Sequence, residues 1–299
     1  MVHFIDTLLA AIGFGIVTSA VLALSTVAVG LQFSVTNIPN FSHGDIMTAG
    51  AYAAYATGFV VSNIAVQALA AIVAGGVIAY ALNKGLLQPF KRAGARNIML
   101  VIITLSFSLL LQNGILAIFG GSEVFYKLPI SAPHHYGPFL FTNQAFLIIA
   151  AAAVALLGVR VVLKYTKFGK AQRAVSDNPE LAQVRGINSN RIIDLTWLWA
   201  GAMAGFSGFV FAVQVGAFSP TLGFTFLFVV FSASVVGGIG HIYGAMLGAL
   251  LIGCGMEVSA IWISGDFKQA VAFIALILTL LFRPSGLFPS RIRNVVEAI

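Results

Sequence analysis

Apolar runs of bilayer-crossing length alternate with short polar passages along most of the chain. Leu8 to Leu31, Ile46 to Val61, Ala65 to Leu87, Ile98 to Phe119, Ala145 to Leu163 and Ile192 to Val215 form the first six. Helices crossing a ~30 Å hydrocarbon core need about 17 to 25 apolar residues, and these runs suit that length. A membrane barrel would instead read as ~10-residue alternating segments, and none occurs. Beyond Val215, Gly223 to Gly240 and Tyr243 to Ile263 are apolar and rich in small residues, and one of them reads as a broken or short pair of helices. Ala270 to Phe282 closes the series. The pattern predicts an all-α polytopic membrane protein with eight or nine transmembrane segments. It forms a single domain over 1–299, with no soluble appendage and no internal repeat.

Composition agrees. The chain is 59% hydrophobic and 8% charged, whereas soluble domains carry about 25% charged residues. The net charge of +7 lies in a few loops rather than on one extended patch, so it does not point to nucleic acid. Three basic clusters occur: residues 84–96, residues 164–191, and the tail with Arg283, Arg291 and Arg293, where Pro284 and Pro289 end the helix. Even numbers of spans separate them if Gly223 to Phe282 holds three, which puts all three clusters and the C-terminus in the cytoplasm. Loop 120–143 then faces outward. The N-terminus does too if Leu8 to Leu87 holds three full spans, unless Gln32 to Phe41 re-enters the membrane. The opening MVHFIDTLLAAIGFG lacks a basic region, which predicts a retained first span rather than a cleaved signal.

Enzyme chemistry finds little to stand on. There is no phosphate loop, no His-Glu-x-x-His, no Cys-x-x-Cys and no Gly-x-Ser-x-Gly. The single cysteine, Cys254, allows no internal disulfide. His134 and His135 read as a solvated pair. The expectation is a non-enzymatic protein with no cofactor and no metal. Polar residues at membrane depth remain: Asp45, Gln112, Asn113, Gln214, His241 and Glu257. Ionisable groups there are costly and mark pathways or buried pairs. Gln112, Asn113 and Gln214 read first as interhelical ties and only second as path residues.

Two further signals are local. Gly201 with Gly205, and Gly244 with Gly248, have small-xxx-small spacing for close helix packing. The run Val235 to Gly253, VVGGIGHIYGAMLGALLIG, is too Gly-rich for one rigid helix and predicts a break that exposes backbone dipoles. In the 164–191 loop, Asp177 or Asn178 can cap a short helix, Pro179 suits its first position and Gly186 the residue after its end. Glu180 and Arg185 carry the signs the helix dipole favours. Such a helix is either a docking element for a cytoplasmic partner or a plain connection whose charges fix orientation. Small Ala182, beside Leu181, Gln183 and Val184, is expected on its contact face.

Several stretches together resemble the permease subunits of branched-chain amino acid ABC transporters. Asn40 with FSHGDIMTAGAYAAY, Phe41 to Tyr55, is similar to their Asn-x-x-His-Gly-Glu/Asp signature. KYTKFGKAQRAVSDNPELAQVRGINSNRI is similar to their cytoplasmic loop, Val235 to Val258 to their Gly-rich run with Glu257 at the family's glutamate, and RPSGLF to their tail. The likeness runs from about Leu8 to Phe288, and the length resembles the H-type subunit rather than the longer M-type. It implies one permease half in a bacterial inner membrane, paired with an M-type subunit or with itself. Its further partners would be two cytoplasmic ATPase subunits and a periplasmic or extracellular binding protein. It implies a coupling role for Gly169, Arg173, Asn178, Pro179, Glu180, Leu181, Ala182, Arg185 and Gly186. The substrate path candidates are Asn37, Asn40, His43, Gly44, Asp45, Gln112, Asn113, Gly237, Gly238 and Glu257. One departure concerns substrate. Val229 stands where the family has Lys, among Phe224, Phe226, Phe228 and Phe231, which leaves urea, short amides or other small organic substrates open. A stand-alone secondary carrier would explain the broken helices and buried carboxylates, but not the capped cytoplasmic helix.

Overall fold

The computed structural model describes residues 2–126, 134–136 and 139–288. Arg291, Arg293 and Pro289, which carry part of the argument for a cytoplasmic C-terminus, lie outside the described residues, as do Pro129, Pro133 and Pro138. The helices are α1 (Val2–Thr36), α2 (His43–Gly58), α3 (Ile64–Leu82), α4 (Gln88–Arg92), α5 (Asn97–Phe119) and α6 (Asn143–Tyr165). They continue with α7 (Lys167–Asp177), α8 (Pro179–Val184), α9 (Ser189–Val215), α10 (Leu222–Gly237), α11 (Ile242–Ser259) and α12 (Lys268–Phe282). Short strands β1 (Val124–Phe125) and β4 (Ala217–Phe218) pair antiparallel, as do β2 (His134–Tyr136) and β3 (Phe139–Phe141).

Among the described residues, six helical stretches are long and apolar enough to cross a membrane: α1, α3 run on to Arg92, α5, α6, α9 and α11. α10 and α12 are shorter apolar helices, and α2 has 16 residues. The protein is a helical, multi-pass membrane protein.

Helix ends differ from expectation in two places. α1 runs to Thr36 rather than ending near Leu31. The polar residues after Leu31 do not break it, because Gln32 and Ser34 are buried with partners and the Thr36 hydroxyl donates back to the Gln32 carbonyl at 2.7 Å. Residues 84–92, expected in a loop, are helical. α3 passes through a π-helical turn, Asn83–Leu87, into α4, where Pro89 sits in the first turn. Proline lacks the N–H for the regular ladder, and an irregular turn is where a helix accommodates that loss.

The chain divides into two compact units. In the one built from Leu31–Lys127 and Ala155–Leu227, α2, α3 and α9 pack on one another. Glycines let the backbones approach. A Cβ at Gly205 would lie 2.1 Å from the Ala71 carbonyl oxygen, and one at Gly208 1.9 Å from that of Met47. An aromatic group, Tyr52, Phe119, Tyr126 and Phe218, joins α2 and α5 to the β1 and β4 segments. The Tyr126 hydroxyl donates to the Ala51 carbonyl at 2.8 Å. Burial, with Tyr52 beside it, pushes the Tyr126 phenol well above its ordinary range, so it remains a donor.

The other unit holds Met1–Gly30, Leu128–Val154 and Phe228–Ile299. Within it α1 meets α11, where the Thr26 hydroxyl donates to the Ala245 carbonyl at 3.3 Å. The predicted helix break is present. α10 ends at Gly237, Gly238 and Gly240 take φ of +105° and +86°, and α11 starts at Ile242. Its cap is His241, whose Nδ1 accepts from the Gly244 amide at 3.1 Å. The tail motif closes the break from the other side. Leu287 and Phe288 amides donate to the Val236 and Gly237 carbonyls at 2.9 and 3.2 Å, satisfying acceptors that the end of α10 leaves open.

Candidate functional site

The path candidates gather only in part. Asn37 lies just past the end of α1 at φ +54°, a conformation Asn tolerates after a helix. Asn40 donates to the Gln32 side chain at 3.0 Å and accepts from the amide and hydroxyl of Ser42. His43, Gly44 and Asp45 follow in the first turn of α2, all buried. The Ser108 hydroxyl of α5 donates to Asp45 Oδ2. Oδ1 is buried and has no hydrogen-bond partner among the described residues. α10 closes the same turn: the Gly223 amide donates to the Thr48 hydroxyl at 2.9 Å, and a Cβ at Gly44 would lie 2.3 Å from the Gly223 carbonyl oxygen. A buried carboxylate thus sits at a glycine-lined junction of three helices.

Gln112 and Asn113 also lie on α5, but Asn113 is exposed and bonds the Leu109 carbonyl of its own helix. Gly237, Gly238 and Glu257 belong to the other unit. There Gly237 and Gly238 form the α10–α11 break. Glu257 is ion-paired with Lys268 at 2.5 Å across α11 and α12, and accepts from the Thr18 hydroxyl of α1 at 3.0 Å. Val229 is fully buried. Phe226 stacks on Phe211 with centroids 3.9 Å apart, so this phenylalanine serves packing.

The polar segment 164–191 forms two helices. Thr166 caps α7, accepting from the Gly169 amide at 3.1 Å. A Cβ at Gly169 would lie 2.1 Å from the Leu163 carbonyl oxygen, to which the Arg173 guanidinium also donates. Both residues therefore fit α7 against the end of α6. Gln172 and Ser176 tie α7 to Ser34 near the end of α1, at 3.0 Å to its hydroxyl and 2.7 Å to its carbonyl. Of the two candidate caps for α8, Asn178 is the one used, accepting from the Glu180 and Leu181 amides at 3.0 and 2.9 Å. Gly186, at φ +82°, ends it. The Ile187 and Gly186 amides donate to the Ala182 and Gln183 carbonyls, the paired bonds of a glycine C-cap. Ala182 does not lie on an exposed contact face. It is 4% exposed, while Leu181 and Val184 are 56% and 83% exposed. α8 packs against α7 and α9, with the Ser189 hydroxyl on the Pro179 carbonyl at 2.8 Å, and Ala182 is buried in that packing.

Sequence reasoning missed Gln32, Ser34, Ser108 and Asp194. Asp194 accepts from Asn83 at 2.7 Å, from Lys84 at 3.2 Å and from Gln88. Its partners lie more than a hundred residues away, so only its rarity as an acid in an apolar run could have singled it out. Among the described residues no group of three or more His, Cys, Asp or Glu side chains could hold a metal.

The chain matches, over residues 11–280, the family described as branched-chain amino acid transport system, permease component. Named relatives agree. The high-affinity branched-chain amino acid transport system permease protein LivH of Escherichia coli is 27% identical over 91% of this chain and 92% of its own length. The corresponding protein BraD of Pseudomonas aeruginosa is 27% identical over 91% and 93%. A probable branched-chain amino acid transport permease protein LivH of Methanocaldococcus jannaschii is 28% identical over 91% and 90%. Together with the buried polar turn at Asp45 and the capped segment at Asn178, the match over most of the chain means that this protein belongs to the family of branched-chain amino acid transport permease components.

Proposed function

We propose that this chain is the transmembrane permease subunit of an ATP-driven importer for branched-chain or related amino acids. The relatives' names support the class of substrate. The observation that carries the mechanism is the tie from α7 to Ser34. Gln172 and Ser176 hold the segment that bears α8 to the last turns of α1, three residues before the Asn37 turn that leads into the buried Asp45 junction. A push on α8 by an ATPase closing on ATP is thereby delivered to the polar turn lining the path. The exposed Leu181 and Val184 would seat in the ATPase.

The ATPases hydrolyse ATP, and this chain opens and closes the path. The partners are two ATPase subunits, a second permease subunit (M-type or self) and an external binding protein, all in or at a bacterial inner membrane. Residues 1–299 act as one permease domain with the coupling loop 164–191. Counting the shorter apolar helices α10 and α12, with or without α2, beside the six long ones supports eight or nine spans, and the basic clusters favour a cytoplasmic C-terminus. The buried Val229 and its phenylalanine neighbours keep urea, short amides or other small organic substrates as the second reading for the cargo. Reconstitution with the ATPases and the binding protein tests the proposal. ATP-dependent uptake of labelled leucine into vesicles supports it. Uptake that needs no ATPase would favour a stand-alone carrier, and ATP-dependent uptake of urea or amides alone would favour the second cargo.

A further inference from the structure

A groove of about 510 Å3 opens where the π-turn and α4 meet the start of α9. Lys84, Arg92 and Arg191 line it against a single acid, Asp194. That acid is already engaged by Asn83, Lys84 and Gln88, so it offers little repulsion to an incoming anion. Arg92 and Arg191 make no ion pair with any described residue. Arg191 also sits in the first turn of α9, whose first turn holds no acid. A cation there opposes the positive end of the helix dipole and does nothing for the helix itself. Its position makes sense if an anion occupies the groove, because helix N-termini and guanidinium groups both suit a phosphate.

The surface leading to the groove says which phosphate. Val66, Leu69, Val73 and Val77 are 39%, 57%, 54% and 56% exposed along one face of α3, at three- and four-residue spacing. Tyr80 continues that face, with the Lys84 ammonium 5.8 Å from its ring centroid. An apolar stripe, then an aromatic at the interface, then basic side chains is the order an acyl chain, glycerol backbone and headgroup require. The stripe belongs to a helix long and apolar enough to cross the membrane, so acyl chains run beside it and bring a lipid headgroup to the groove. We infer that this groove binds the phosphate headgroup of an anionic phospholipid, whose acyl chain lies along α3.

The test uses the full-length permease purified in detergent, with phosphatidylglycerol, phosphatidylcholine of the same chains, and inorganic phosphate as probes. Native mass spectrometry and thermal unfolding are the readouts. Wild type should retain phosphatidylglycerol over phosphatidylcholine and be stabilised by it. R92Q/R191Q should keep the lipid-free Tm and bind phosphatidylglycerol roughly 30-fold more weakly, as two basic contacts near a membrane surface imply. R92K/R191K should recover most of the affinity. Equal phosphatidylglycerol binding by wild type and R92Q/R191Q would overturn the inference. So would equal stabilisation by inorganic phosphate. Loss of ATPase binding in R92Q/R191Q with lipid binding intact would assign the groove to a protein partner instead.

Discussion

The Ser108 hydroxyl donates to the Asp45 carboxylate, joining the middle of α5 to the first turn of α2. Among the described residues this is the one side-chain donor to a fully buried acid. Removing it should be felt in stability: Ser108→Ala is expected to cost about 1–3 kcal/mol, the usual cost of leaving a buried polar group short of a partner. Asp45→Asn should insert normally yet reduce uptake at least tenfold, an effect on the order of 1.4 kcal/mol or more in the transport cycle. Uptake per inserted molecule is the measurement. Wild-type uptake by Asp45→Asn would make the carboxylate a bystander.

Glu257 and Lys268 fasten α11 to α12, with Thr18 of α1 on the second carboxylate oxygen. A double-mutant cycle of Glu257→Gln and Lys268→Gln should give a coupling of about 0.6–1.7 kcal/mol, in the range of side-chain bonds between membrane helices. The swapped pair, Glu257→Lys with Lys268→Glu, should regain part of the lost Tm. Strictly additive single effects would mean that the contact does not stabilise the hairpin.

The close approaches on α9 make a further quantitative expectation. A side chain at Gly208 meets the Met47 carbonyl, and Gly208 is fixed between packed backbones. Gly208→Ala should destabilise by about 1–3 kcal/mol through overpacking. Gly114→Ala, where a Cβ meets nothing within 4 Å, should be neutral or mildly stabilising, since alanine favours helix. Thermal unfolding of the two variants side by side checks this, and similar losses from both would contradict it.

Much of this architecture is legible in the sequence because its causes are local. Apolar run length predicts α1, α3, α5, α6 and α9, and the glycines of Val235 to Gly253 predict the break at Gly238. Asn178, Pro179 and Gly186 predict the limits of α8, since capping depends on residues within a few positions. The face of a six-residue helix is not local. Ala182 is buried because α8 packs on its neighbours α7 and α9. The extension of α1 to Thr36 was illegible for the same reason: Gln32 and Ser34 read as helix-ending polar residues until Asn40 and Gln172 supply their partners. The Asp194 cluster joins residues 106 to 111 positions apart, which no periodicity reveals.

Burial divides two kinds of change in α8. Ala182→Arg would force a long charged side chain into a buried site, so it should lower the Tm and disturb the segment's own packing. Leu181 and Val184 are exposed, so Leu181→Asp with Val184→Asp should leave folding unchanged, within about 0.5 kcal/mol.

The most direct test of coupling is substrate-stimulated ATP hydrolysis by the reconstituted complex carrying Leu181→Asp and Val184→Asp. This permease should insert and unfold like wild type but no longer co-purify the ATPase subunits, with hydrolysis falling to the rate of the isolated ATPases. Full co-purification with wild-type, substrate-stimulated hydrolysis would contradict it, and α8 would then not be the element that links ATP to the buried turn at Asp45.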